Sequence, residues 1–284
     1  MSPNPNPNPN HLDLDDQEIT YAEASGGVAH ATPLVFLHGG AVDRRMWNPQ
    51  LDAFPERRVI APDARGHGGS SDADVPYRLA DDVVDLLDAL GIEQAVLAGL
   101  SMGGGTAVDV ALEYPDRVAA LVVSGTGTSE PAYDDPWCLS ALQRWRSAEQ
   151  QGDLEGWIDG FMAFTSGPER TREELNREVW DLVETMARET LAHHLRLDGN
   201  GVPLPPVPPT PVADTWDRLR AIHVPVLALC GAQDGKDHLR MGRRLASSVQ
   251  QGEFVITPGA HYPNLEDPAA FTAAMRGFLS RHGL

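Results

Sequence analysis

Short apolar runs recur along the chain, with amphipathic stretches between them. Residues 34–37, 58–61, 95–98, 120–123, 226–229 and 254–256 are apolar or nearly so and too short for helices, as expected of parallel strands covered on both faces. Residues 18–24 alternate as a strand does. Between the runs the period changes. Val83, Leu86, Leu87 and Leu90 repeat at i, i+3, i+4 and i+7, and Gly91 is placed to stop that helix. A second helix is expected after Ser101, with Ala107, Val110 and Ala111 on one face and Pro115 beyond its end. A last one should start near Pro268 and carry Phe271, Met275 and Phe278. Alternation of strand and helix predicts an α/β fold with a doubly wound, mostly parallel sheet.

The rhythm breaks between Gly127 and Asp214, where the stripes are helical. One holds Trp137, Ala141, Leu142 and Trp145, a second Trp157, Ile158, Phe161 and Phe164, and a third Leu175, Val179, Leu182 and Met186. The proline-rich stretch 202–211 fits neither a helix nor a central strand and reads as a stiff connector. The expected organisation is a core of residues 11–127 and 215–284, with an inserted helical cap at 128–214. Residues 1–10, an alternation of Pro and Asn with nothing to bury, should be a solvated, disordered tail.

Composition narrows the function classes. The 284 residues suffice for one large domain with an insertion, and 42% hydrophobic with 22% charged residues is an ordinary globular balance. A net charge of −19 opposes binding to nucleic acid or an anionic membrane surface. Cys138 and Cys230 are far apart with no CxxC spacing, so free thiols are expected, and neither zinc nor a disulfide framework. The first residues lack the basic and apolar regions of a signal peptide. The longest uncharged, mostly apolar stretch, 95–108, is too short to span a bilayer. A cytoplasmic protein without membrane attachment is the expectation; oligomeric state stays open.

The informative string is Gly99-Leu-Ser101-Met-Gly103, after an apolar run and before a helix. A sharp strand-to-helix turn would push Ser101 forward and crowd the positions two before and two after it, where only small residues fit. It would also aim the first amide of the helix, that of Met102, at an anion forming beside Ser101. A glycine-rich turn of a nucleotide-binding fold is the competing reading of the pentapeptide alone. Upstream, His38-Gly39-Gly40 follows another run, and a second amide, from Gly40 or Ala41, would complete an oxyanion hole. His38, Asp63, Arg65 and His67 are expected to stabilise loops, by local ring bonds and Asp–Arg pairing.

A serine nucleophile needs a base, and the base needs an orienting partner. Asp234 lies just past the run 226–229, and His261 follows the run 254–256, so both belong to the carboxyl edge of the sheet. No carboxylate closely follows the run 120–123, where Ser124-Gly-Thr-Gly stands. Asp237 should be a helix cap or a solvated charge, and Glu266 should favour the positive end of the last helix. His193 and His194, adjacent on a helix, do not complete a metal site.

With His38-Gly-Gly, Asp63-Ala-Arg-Gly-His-Gly-Gly-Ser, Gly99-Leu-Ser-Met-Gly-Gly, Gly231-Ala-Gln-Asp and Gly259-Ala-His-Tyr-Pro-Asn in this order, the sequence resembles the α/β-hydrolase superfamily over nearly its whole length. Arg45-Met-Trp-Asn-Pro-Gln-Leu and Gly99-Leu-Ser-Met-Gly look like the 3-oxoadipate enol-lactonase group with its esterase and non-haem haloperoxidase relatives. The resemblance implies a catalytic triad of Ser101, Asp234 and His261, in the chain order of that fold. Gly40 and Met102 would be the oxyanion donors, with no cofactor and no metal. It implies an acyl-enzyme route on a small ester or lactone. A carbon–carbon bond hydrolase, a perhydrolase or haloperoxidase, and a slow ligand sensor on the same fold remain alternatives. Cap aromatics would roof an apolar pocket or simply pack onto the core.

Overall fold

The computed structural model describes residues 9–25, 31–200, 203–204 and 206–284. Its strands are β1 (Asn10–Asp13), β2 (Glu18–Ala24), β3 (Leu34–Leu37), β4 (Val59–Pro62), β5 (Ala95–Leu100), β6 (Val118–Ser124), β7 (Arg196–Leu197), β8 (Pro203–Leu204), β9 (Val226–Gly231) and β10 (Gly252–Thr257). The helices are α1 (Asn48–Leu51), α2 (Leu79–Ala89), α3 (Met102–Glu113), α4 (Pro136–Gln151), α5 (Leu154–Ser166), α6 (Arg177–His194), α7 (Thr215–Arg218), α8 (Lys236–Ser248), α9 (Pro263–Glu266) and α10 (Pro268–Arg281). Eight strands form one sheet in the order β1-β2-β4-β3-β5-β6-β9-β10. β2 is antiparallel to both β1 and β4, and the other neighbours run parallel. The expected doubly wound, mostly parallel α/β sheet is therefore present.

Strand alternation explains why the runs are continuously apolar. Leu34, Phe36, Val96, Ala98 and Leu100 enter a core that holds Trp47, Phe271 and Phe278. Val35, Leu37 and Leu97, one residue out of step, enter a second core with Val83 and Leu87 of α2, Val108 of α3 and Leu245 of α8. Both faces of the sheet are thus dry, and each buried Leu or Phe contributes roughly 1.5–3 kcal/mol by removal from water.

Between β6 and β9 the chain leaves the sheet. α4 starts at Asp135, whose carboxylate accepts the amides of Trp137 and Cys138, and ends at Gly152 in the left-handed conformation. α5 starts at once from Asp153, which accepts the Gly156 amide. Trp145, Trp157 and Phe161 interlock, with ring centroids 5.3–5.9 Å apart. Ile158, Phe161, Met162, Val183 and Met186 continue into the first core, so these helices share the sheet's interior.

Two details depart from the sequence reading. Asn10, assigned to the tail, opens β1 and pairs with Tyr21; residues 1–8 of the assigned tail lie outside the described residues. β7 and β8 form a two-residue ladder apart from the main sheet, in a region expected to be free of strands. Arg196 and Leu197 are exposed, so no buried alternation marked them. Within the proline-rich stretch, Val202 and Pro205 lie outside the described residues. No described helix is long and apolar enough to cross a membrane. Cys138 and Cys230 are buried free thiols, both pushed up to about 12 by burial.

Candidate active site

Ser101 joins β5 to α3 with φ 53° and ψ −113°, a conformation that a side-chain-bearing residue keeps only under compulsion. The compulsion is steric. A Cβ at Gly99 would come within 2.1 Å of the Gly103 carbonyl oxygen, and one at Gly103 within 2.2 Å of the Leu37 carbonyl oxygen. Strand end, turn and β3 fit together because the flanking residues have no side chains. Ser101 lines a cavity of about 350 Å³ together with Gly40, Met102, His261 and, from the inserted helices, Trp145, Phe161 and Phe164.

Asp234 ends the turn after β9, and His261 ends the turn after β10. Parallel pairing of these two strands brings the turns side by side. His261 Nδ1 donates to Asp234 Oδ2 at 3.0 Å, and both residues are buried. The bond leaves Nε2 of the neutral ring as the free lone pair. Gly125, φ 65°, lies against the imidazole: a Cβ there would sit 2.8 Å from Cε1 of His261. The end of β6, empty of carboxylate in the sequence, is therefore occupied by the His261 ring. Ser101 and His261 line the same cavity, and among the described residues no hydrogen bond joins their side chains.

Asp234 has a second partner. His238, in the first turn of α8, donates Nδ1–H to Oδ1 at 2.6 Å, and the Gly235 amide donates to the same oxygen at 2.7 Å. The rings of His238 and His261 lie 4.5 Å apart, and His238 also lines the cavity. Burial opposes ionisation of Asp234, but the two histidines and their hydrogen bonds hold it well below the usual carboxylate range. Asp234, His238 and His261 each offer a ligand atom within 4.8 Å of one another. Both Nδ1 atoms already carry bonds to Asp234, so a metal held through them would displace two protons and release the ring of His261.

The backbone amides near Ser101 differ in their partners. The Ala41 amide donates to His67 Nε2 at 3.2 Å. The Gly40 amide makes no hydrogen bond among the described residues, and that of Met102 opens α3 with no acceptor four residues before it. His38 and His67 bind backbone at both ring nitrogens. His38 holds Gly39 O and the Ala64 amide, and His67 holds Arg65 O and the Ala41 amide. Asp63 and Arg65 do not pair with each other. Asp63 holds Arg44 and the Gly69 amide, while Arg65 holds Asp82 and Asp16.

A family model described as alpha/beta hydrolase fold matches residues 32–268. The chain belongs to that family. As an α/β hydrolase it is similar to 3-oxoadipate enol-lactonase 2 of Acinetobacter baylyi, at 29% identity over 272 residues, 94% of this chain and 96% of that one. The 2-hydroxy-6-oxononadienedioate/2-hydroxy-6-oxononatrienedioate hydrolase of Paraburkholderia phymatum is 31% identical over 261 residues, 87% of each. The solved structure of a thermophilic esterase from Thermogutta terrifontis superposes with a TM-score of 0.70 at 28% identity, covering 93% of this chain and 94% of that one.

Two acidic residues of this α/β hydrolase do other work than expected. Asp237 is fully buried; its Oδ2 accepts the amides of Asp134 and Asp135 at 3.0 and 2.9 Å, fixing the entrance to α4. Glu266 accepts the Ala260 amide at 2.7 Å and pairs with Arg170, which follows α5. It braces the loop of His261 against the inserted segment.

Proposed function

We propose that the protein is a serine hydrolase that cleaves a carboxylic ester or lactone of a small, largely apolar substrate through an acyl-enzyme. Nε2 of His261 takes the proton of Ser101 as Oγ attacks the carbonyl carbon. Asp234 holds the imidazole in the required tautomer and stabilises its cation. The Gly40 and Met102 amides receive the negative oxygen of the tetrahedral intermediate. Collapse expels the alkoxide, which takes the proton from His261. Water, deprotonated by the same nitrogen, then attacks the acyl carbon and frees the acid and Ser101. Residues 128–214 act as a cap whose aromatic side chains select the substrate.

The observation that carries this reading is the enforced turn at Ser101, sharing one cavity with a histidine whose other nitrogen is bound to a buried carboxylate. The similarities to an enol-lactonase and an esterase support it. A fluorophosphonate probe should label the wild type at Ser101 and leave Ser101→Ala unmodified. p-Nitrophenyl esters and lactones should be turned over with a burst of the first product. An unlabelled wild type that binds esters without releasing product would replace this reading with a ligand sensor.

The Paraburkholderia relative supports a second reading, a carbon–carbon bond hydrolase with the same Ser101, His261 and Asp234. Dienedioate substrates turned over faster than every ester in the panel would select it.

A further inference from the structure

The cavity runs from Ser101 along one face of α3. Gly105, Thr106 and Asp109 line it in succession, and eight residues of helix place Asp109 about 12 Å from Ser101 along the axis. Gly105 makes this wall possible: a Cβ there would lie 2.8 Å from Cα of Ser129, so the loop after β6 lies directly on the helix.

Asp109 is only 7% exposed. Its one hydrogen bond among the described residues comes from Ser129 Oγ to Oδ1 at 2.7 Å, and no described cation lies within ion-pair distance. Arg78 lines the same cavity but is committed to Glu113 at 2.9 Å and Asp81 at 3.4 Å. A carboxylate withdrawn from water without a counter-charge is costly. An asparagine could tie the Ser129 loop to the helix without that cost. The carboxylate makes physical sense if the counter-charge arrives with the guest.

We propose that Asp109 selects substrates carrying a cationic group remote from the scissile carbonyl, with that group seated at the Asp109 end of the cavity. The inference rests on the serine-hydrolase reading above and narrows its substrate class. The net charge of −19 favours the approach of such a molecule. Burial pushes the Asp109 carboxyl up to about 7, against the Ser129 hydrogen bond and the charge of Arg78 and with the charges of Glu113 and Glu130. A bound cation would favour the ionised carboxylate.

The test compares p-nitrophenyl esters of ω-trimethylammonio-alkanoic acids, four to eight carbons long, with their neutral ω-tert-butyl isosteres. The members of a pair differ in charge and hardly in shape. At the best length the cationic ester should lead in kcat/KM by about tenfold or more. The ratio should widen as pH rises through 7, where Asp109 ionises. The groups facing it keep their charges across that range, Arg78 being raised and Glu113 and Glu130 lowered by their partners. Asp109→Asn should bring the ratio towards one, whereas Ser129→Ala, which keeps the carboxylate, should preserve it. Neutral esters equal or superior at every length in the wild type would overturn the proposal and leave the hydrolase reading standing. That measurement does not depend on any variant folding. Turnover of neither ester, with no fluorophosphonate labelling, would overturn both.

Discussion

Two pairs of histidine rings face each other inside this protein. His38 and His67 stand 5.0 Å apart beneath the loop that carries Gly40, and His238 and His261 stand 4.5 Å apart at Asp234. Residue type and spacing are nearly the same; the bonds to the ring nitrogens differ. In the first pair each ring receives a backbone amide at Nε2, so Nδ1 must be the donor and no lone pair is left for a reaction. In the second pair each Nδ1 faces a carboxylate oxygen, and the Nε2 lone pairs remain. What separates the two pairs is whether the second ring nitrogen is already bonded.

The sharpest break of the contrast comes from removing what the second pair serves. Ser101→Ala should lower kcat on the order of 10⁵-fold or more in a steady-state ester assay, with an unchanged far-UV spectrum. Asp234→Asn, which disturbs the tautomer of His261, should cost on the order of 10⁴-fold. His238→Phe keeps a ring but deletes one of the donors to Asp234. A fall in kcat of about tenfold, with KM little changed and the acid limb of the kcat/KM profile displaced, is expected of a residue that positions through Asp234. A change in stability alone would make His238 a strut like His67.

The first pair should answer in stability. His67→Ala strands the Ala41 amide and should cost about 1–3 kcal/mol in denaturant unfolding, with the surviving fraction still taking up a fluorophosphonate. Burial lowers the His67 pKa to about 4, with the positive charge of a protonated His38 ring next in effect. Between pH 6.5 and 4 the unfolded chain therefore binds the proton that the folded chain refuses. The neutral ring's contribution is complete above pH 6.5 and is lost as pH falls towards 4, on the order of 2 kcal/mol for a ring that is not fully enclosed. A wild-type Tm that falls more steeply over this range than that of His67→Ala is the readout.

The sheet and the Ser101, Asp234 and His261 positions were legible because their signals are local in the chain. Continuous apolar runs mark strands dry on both faces, and a strand end followed by a Gly-framed serine or a lone His is a pattern of a few residues. His238 was not legible: its meaning depends on a turn that brings position i+4 back onto Asp234, and a helix start explained it equally well. Glu266 and Asp237 were misassigned for a related reason. Their partners Arg170 and the Asp134 and Asp135 amides belong to an insertion whose placement no periodicity encodes. In the sequence Asp109 is simply the first charge after the uncharged stretch 95–108. Only the cavity makes it a wall.

The Arg170–Glu266–Ala260 chain gives the inserted segment a mechanical line to the His261 loop. One carboxylate grips the inserted segment through a guanidinium and, through the Ala260 amide, the backbone one residue before His261. A guest bulky enough to lift the end of α5 pulls on the imidazole's own loop. Oversized substrates should thus lose turnover number as well as affinity, and Arg170→Met should uncouple the two, restoring part of kcat for bulky esters without tightening their binding.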